Sequence, residues 1–154
     1  MTDHFQTNLQ SQSVLVASST PSVAEEKSQE SEELALRVVA AAADRKAGDM
    51  VVLRVAEVSF LADYFVLVTG YSKAQVRAIS QSIEDTVEEQ LHRLPIRTEG
   101  QAEGSWVLKD YGDVMVHIMM PKEREYYNLE AFWGHAPKVE LPDNIDNPQR
   151  ELEE

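Results

Sequence analysis

The stretch Gly104–Met120, GSWVLKDYGDVMVHIMM, reads as two β-strands folded on a tight turn. Trp106, Val107 and Leu108 are strand formers, Asp110-Tyr111-Gly112-Asp113 is turn chemistry, and Val114 to Met119 resumes a run rich in β-branched and apolar side chains. A Trp, a Tyr and two Asp side chains stand around the turn, a mixture suited to recognition more than to a core. The rest of the chain can be placed relative to this hairpin.

Upstream, Met50–Glu57 (MVVLRVAE) and Asp63–Thr69 (DYFVLVT) read as strands. The second is apolar on consecutive positions from Tyr64 to Val68, the pattern of a strand covered on both faces and central in its sheet. Gly70 breaks it. Ser72 with Gln75 three residues on forms a capping box, and Val76, Ile79, Ile83, Val87 and Leu91 recur at helical spacing until Leu94-Pro95. Ile96–Glu99 is a short strand leading into the hairpin. An earlier helix is capped by Ser31, carries Glu32 and Glu33 at its positive end and a stripe of Leu34, Val38, Ala41 and Ala42, and is stopped by Gly48. Arg45 and Lys46 fall in its last turn. Downstream, Lys122–Trp133 (KEREYYNLEAFW) reads as a third helix with Tyr126, Leu129, Phe132 and Trp133 on one side.

The order α-β-β-α-β-β-β-α implies an α/β fold in which a mixed sheet of about five strands is flanked by helices. Residues 1–30 are rich in Ser, Thr and Gln and bury too little apolar surface to offset ordering entropy, so they read as a disordered arm. Residues 31–141 form the domain, and 142–154 read as a disordered acidic tail.

The formal charge of −13 is spread along the chain. Met1–Ser31 carries four acids and one base, Pro142–Glu154 five and one, and Glu32–Leu141 eighteen and twelve, so the domain itself stands at −6. Direct binding to a bare phosphate backbone, which rests on Lys and Arg, is disfavoured, and a basic protein surface fits better. The absence of Cys removes disulfides, thiolate zinc sites and Cys nucleophiles. With no apolar run of membrane length, no basic residue before Val14–Ala17 and no Arg before Arg37, the expectation is a cytoplasmic protein without a membrane partner.

Catalytic chemistry finds little support. His4, His92, His117 and His135 are scattered without metal-ligand spacing, and His117, between Val116 and Ile118, reads as a packed histidine making one hydrogen bond. Gly70-Tyr71-Ser72 stands where nucleotide folds seat a phosphate, yet lacks both glycine-rich signatures and reads as a strand stop with a helix cap. Metal-dependent nucleotidyl transfer would need grouped carboxylates, whereas Asp63, Asp110 and Asp113 read as turn formers, so no cofactor is expected. Phe65, Phe132 and Tyr126 are assigned to the core. Trp106 and Tyr111, hard to bury completely where they stand, are assigned to an interface.

Several ordered motifs carry a resemblance: ADYFVLVTGYSKAQVRAIS, then EG at Glu99-Gly100, GSWVLKDYGDVMVHIM and REYYNLEAFW. Across about Leu34 to Ala136 the chain closely resembles the ribosomal silencing factor family, also called the Iojap or RsfS family. The resemblance implies a nucleotidyltransferase-like fold that has lost its catalysis. It implies binding to the large ribosomal subunit through universal ribosomal protein fourteen, obstruction of small-subunit joining, and slower protein synthesis under nutrient limitation. It also favours a homodimer in the free protein. A large-subunit assembly factor shares the same contact and is one alternative; a metal-dependent nucleotidyltransferase, from a different class, is the other. Matching motif residues are Asp63, Tyr64, Ser72, Gln75, Glu99, Gly100, Trp106 to Asp113 and Arg124 to Glu130. The implied ribosomal-protein contact falls on Trp106, Asp110, Tyr111, Gly112 and Asp113, helped by Tyr127 and Glu130.

Overall fold

The computed structural model describes residue 20 and residues 22–146, and the chain divides into two units, Met1–Glu30 and Ser31–Glu154. In chain order the elements are α1 (Val23–Asp44), β1 (Gly48–Arg54), β2 (Tyr64–Thr69), α2 (Lys73–Leu91), β3 (Arg97–Glu99), β4 (Trp106–Asp110), β5 (Val114–Met119), α3 (Pro121–Tyr127), α4 (Leu129–Phe132) and α5 (Asp143–Asp146). The strands form one mixed sheet in the order β1-β2-β5-β4-β3. Every residue of β2 is buried, as its unbroken apolar run requires, because it pairs antiparallel with β1 on one side and parallel with β5 on the other.

One face of the sheet packs on α1 and α2. Leu34, Val38 and Ala42 from α1 and Val76, Ile79, Ile83 and Val87 from α2 close over Val66, Val68, Val107, Val116 and Ile118. Burying each large apolar side chain contributes about 1.5–3 kcal/mol, so this layer dominates stability. The other face carries a smaller cluster of Leu53, Phe65 and Leu67 with Ala136, against which Met115, Leu129 and Trp133 are partly buried. That cover spans β1, β2 and β5. In β4 the cover thins: Val107 and Lys109 are buried toward the helices, while Trp106, Leu108 and Asp110 on the alternate positions stay half-buried.

Several boundaries differ from the sequence-based expectation, each for a physical reason. Helix α1 starts at Val23, where the Ser22 hydroxyl accepts from the Glu25 N–H at 3.2 Å. Ser31, expected as the cap, is a buried interior residue of that helix whose hydroxyl donates to Asp113 Oδ2 at 2.7 Å. The helix ends at Asp44 before Arg45 and Lys46, with Lys46 in the left-handed region (φ 63°), and Gly48 opens β1. Helix α2 ends at Leu91 on a left-handed His92 (φ 56°, ψ 39°), ahead of Leu94-Pro95. The expected third helix is broken at Asn128 (φ 44°, ψ 56°) into α3 and α4. That break turns Tyr126 and Phe132, assigned to the core, out to 80% and 71% exposure.

The expected disordered arm, 1–30, already holds the start of α1 at Val23, and the expected disordered tail contains α5, whose Ile145 packs against the helical-face core; residues 1–19, 21 and 147–154 lie outside the described residues. A further segment was not foreseen at all: Pro137–Val139 runs along the outer edge of β1, with Arg54 N–H donating to the Pro137 carbonyl and Val139 N–H to the Val52 carbonyl, both at 2.8 Å.

Candidate functional site

The hairpin forms as its sequence requires. Trp106 opposes Met119 and Asp110 opposes Met115. The turn closes with Tyr111 N–H donating to the Val114 carbonyl at 2.9 Å, and Gly112 N–H to Asp110 Oδ1 at 2.8 Å. Trp106 and Asp110 lie four strand steps apart, about 13 Å at ~3.3 Å per residue. The expected contact residues therefore divide between two ends of the hairpin. Asp110, Tyr111, Gly112 and Asp113 stand at the turn, while Trp106, with Tyr127 and Glu130, stands at the open end.

The turn end is committed inward. Tyr111, expected as an interface ring, is 2% exposed, and its buried hydroxyl has no hydrogen-bond partner among the described residues. Burial pushes its phenol above the ordinary range. Asp113 accepts from Arg93 through both carboxylate oxygens, at 3.1 and 2.8 Å, and from Ser31; Arg93 also donates to the Tyr111 carbonyl at 2.8 Å. Burial by itself would raise the Asp113 carboxyl, but the bonds from Arg93 and Ser31 outweigh it and hold the group below the usual carboxylate range. Asp110 pairs with Arg97 at 3.3 Å, and Gly112 takes a φ of 92° that the turn demands.

The open end is built differently. The loop before β4 folds back on itself, Gly104 N–H donating to the Gly100 carbonyl at 2.9 Å, and Arg77 Nη1 ties it to α2 through the Ala102 and Glu103 carbonyls at 3.1 and 3.3 Å. Gly100 has φ 84°, and a Cβ there would run into the Trp106 carbonyl oxygen, which gives the Glu99-Gly100 pair its physical reason. So held, Trp106 lies in a continuous row of rings. Tyr126 meets Tyr127 (5.0 Å between centroids), Tyr127 meets Trp106 (4.8 Å), and Trp106 meets His117 (5.9 Å). His117 meets Phe65 (5.6 Å), Phe65 meets Trp133 (5.3 Å), and Trp133 meets Phe132 (5.1 Å). The middle of the row is core; its two ends are exposed.

Beside Trp106 the row opens into a groove of about 760 Å³. Trp106, Leu108, Tyr126 and Tyr127 supply its apolar surface, and Glu99, Glu103 and Glu123 outnumber Lys122 around it. Sequence alternation in β4 puts Trp106 and Leu108 on one face, so Leu108 was within reach of sequence reasoning; the exposure of Tyr126, and the arrival of Glu103 and Glu123 beside it, were not. Glu130, an expected contact, accepts from Arg124 Nε at 2.8 Å, while Arg124 Nη1 donates to Thr69 Oγ1 at 2.9 Å. This mostly buried guanidinium braces α3 and α4 across Asn128.

The arrangement offers contact chemistry. Among the described residues no group of three or more His, Asp or Glu could hold a metal ion, and no helix is long and apolar enough to cross a membrane. At the start of α2 two of the backbone donors that could face a phosphate are engaged within the chain: Ser72 Oγ accepts from Gln75 N–H at 3.0 Å, and Gln75 Oε1 from Tyr71 N–H at 2.7 Å. Gln75 Nε2 also donates to the Arg45 and Lys46 carbonyls, at 3.0 and 3.1 Å, closing the end of α1. The capping reading of Ser72 and Gln75 holds.

Comparison with known proteins agrees with this geometry. The model of the family described as "Ribosomal silencing factor during starvation" matches residues 28–154. The chain is 43% identical over 110 residues to the ribosomal silencing factor RsfS of Halalkalibacterium halodurans, covering 71% of this chain and 93% of that protein. It is 43% identical over 107 residues to the RsfS of Bacillus subtilis, covering 69% and 90%. A mouse protein named mitochondrial assembly of ribosomal large subunit protein 1 is 29% identical over 89 residues, 56% of this chain and 39% of its own length. A crystal structure of a Chromobacterium violaceum protein superposes with a TM-score of 0.63 at 34% identity, covering 78% of this chain and 96% of that one. An α/β domain with this hairpin and these relatives belongs to the ribosomal silencing factor (RsfS) family.

Proposed function

We propose that this protein represses translation by binding the large ribosomal subunit through universal ribosomal protein fourteen and occupying the surface where the small subunit joins. Protein synthesis in the cytoplasm is thereby slowed when nutrients are limiting. The observation that carries the reading is the groove beside Trp106: apolar rings on an incompletely covered sheet face, ringed by three glutamates and one lysine. Aromatic side chains with this much accessible area serve as interface anchors, and the acidic rim suits a basic protein rather than nucleic acid. A standard interface needs about 800 Å² per partner, which the hairpin with α3 can supply. No chemistry and no cofactor enter; binding lowers joining by volume alone. In the free protein the same face is covered by a second copy, giving a homodimer that separates on the subunit.

Within this proposal Trp106 and Tyr127 make the contact, assisted by Glu99, Glu103 and Glu123. Tyr111, Asp113 and Glu130 support it from within. Trp106→Ala is expected to leave the circular dichroism spectrum unchanged and to weaken co-sedimentation with purified large subunits by about 2–4 kcal/mol, the range for a central aromatic anchor. Undiminished binding would remove the groove from the interface. The name of the mouse relative favours a second reading, assembly of the large subunit. Sedimentation of the protein with immature rather than mature subunits would select it.

A further inference from the structure

Trp106 makes one polar contact through its indole, and the partner is the histidine that the sequence reads as packed. Its Nε1–H donates to Nδ1 of His117, 3.2 Å away on the neighbouring strand. The indole N–H can only donate, so Nδ1 must be the unprotonated nitrogen and the ring proton must sit on Nε2. His117 cannot drift to another arrangement. It is 8% exposed, and Phe65 meets its ring edge-on at an interplanar angle of 74°. Phe65 is in turn held by Trp133 at 86°. The acceptor is therefore fixed by the core and the donor lies at the rim of the groove.

An indole on a strand facing solvent has freedom about both of its side-chain torsions, and ordering it on binding carries an entropic cost. The Tyr127 ring, tilted at 49° to the indole, follows the same placement.

We propose that His117 is the positioning residue of the docking groove, its Nδ1 holding the Trp106 indole in the orientation that, with Tyr127, a basic protein partner meets. This rests on the docking reading above. It assigns to one buried histidine the preorganisation of a contact it does not itself touch.

The test is a double-substitution cycle with two readouts on the full chain. His117→Phe keeps a buried ring and removes the acceptor; Trp106→Phe keeps an aromatic ring and removes the donor. Each is expected to weaken binding to purified large subunits about three- to tenfold, the range for one net hydrogen bond. The pair together should be no weaker than Trp106→Phe alone, because with the donor gone His117 has no bond left to contribute. Independently of the ribosome, His117→Phe should move the Trp106 indole N–H resonance and speed its exchange with solvent, leaving that of Trp133 in place. Additive losses in the cycle would overturn the proposal, as would His117→Phe binding as tightly as the parent. An unmoved indole resonance would overturn it even where binding falls. If the parent protein itself fails to bind large subunits, the docking reading fails and takes this role with it, a result the unaffected indole measurement keeps distinct from loss of the Trp106–His117 bond.

Discussion

Arg93, just beyond the left-handed cap of α2, grips Asp113 at the hairpin turn with two hydrogen bonds of 3.1 and 2.8 Å. The pair joins the end of a helix to a turn twenty residues away, and Ser31 from α1 completes it at 2.7 Å. An aspartate that looks from the sequence like a free contact is thus the knot where three elements meet.

Asp113→Ala is expected to lower stability by about 2–3 kcal/mol, the cost of leaving charged and buried donors without their acceptor. Urea unfolding followed by far-ultraviolet circular dichroism measures this. Arg93→Ala should cost a similar amount, and the double variant less than the sum. Loss of ribosome binding in an Asp113 variant would then reflect a loosened fold.

Tyr111→Phe should leave the melting temperature unchanged or raise it. The hydroxyl is buried with no partner among the described residues, so the phenylalanine removes an unsatisfied polar group and keeps the ring. Tyr111→Ala, which opens a cavity, should cost about 3–5 kcal/mol by the same assay.

Stability should fall as pH falls from 6.5 to 4. Burial lowers His117 from 6.5 to about 4, so in that window the unfolded chain binds a proton that the folded one does not. The His117 contribution is fully present above pH 6.5, and about 3 kcal/mol is lost by pH 4. Asp113, lowered from 3.8, acts in the same direction but only at still lower pH, its stabilisation being complete above 3.8. Urea titrations at half-unit pH steps should show the slope, and His117→Phe should flatten it above pH 4.

Asn128→Ala should destabilise by about 1 kcal/mol, since alanine takes the left-handed backbone of the break between α3 and α4 at a cost that asparagine and glycine largely escape. Asn128→Gly should be close to neutral. Denaturant midpoints at constant slope distinguish the two.

Much of this architecture was readable from local chemistry. The hairpin, the unbroken apolar run of β2, the Ser72–Gln75 cap and the packed His117 each depend on residues close in sequence or on a simple period, and each appears in the structure as read. The break at Asn128 was not readable, because KEREYYNLEAFW keeps an apolar period that a continuous helix would satisfy equally well. Once the chain turns there, Tyr126 and Phe132 leave the core and the groove opens. Ser31 has the chemistry of a helix cap, and only the arrival of Asp113 gives it a buried partner instead.

The sequence by itself determined the α/β class, the hairpin and the acidic, cysteine-free chemistry around it, because these follow from side-chain period, turn residues and charge. Which end of the hairpin faces outward was decided only by the tertiary structure. Arg93 and Ser31 reach Asp113 from α2's end and α1, and the core closes over Tyr111, so the turn's ring and its carboxylate are engaged within the fold while Asp110, Gly112 and Asp113 stay half-buried. Trp106, at the other end on the thinly covered face, keeps an accessible ring. No spacing along the chain encodes that difference, since it depends on which distant side chains fold over each end.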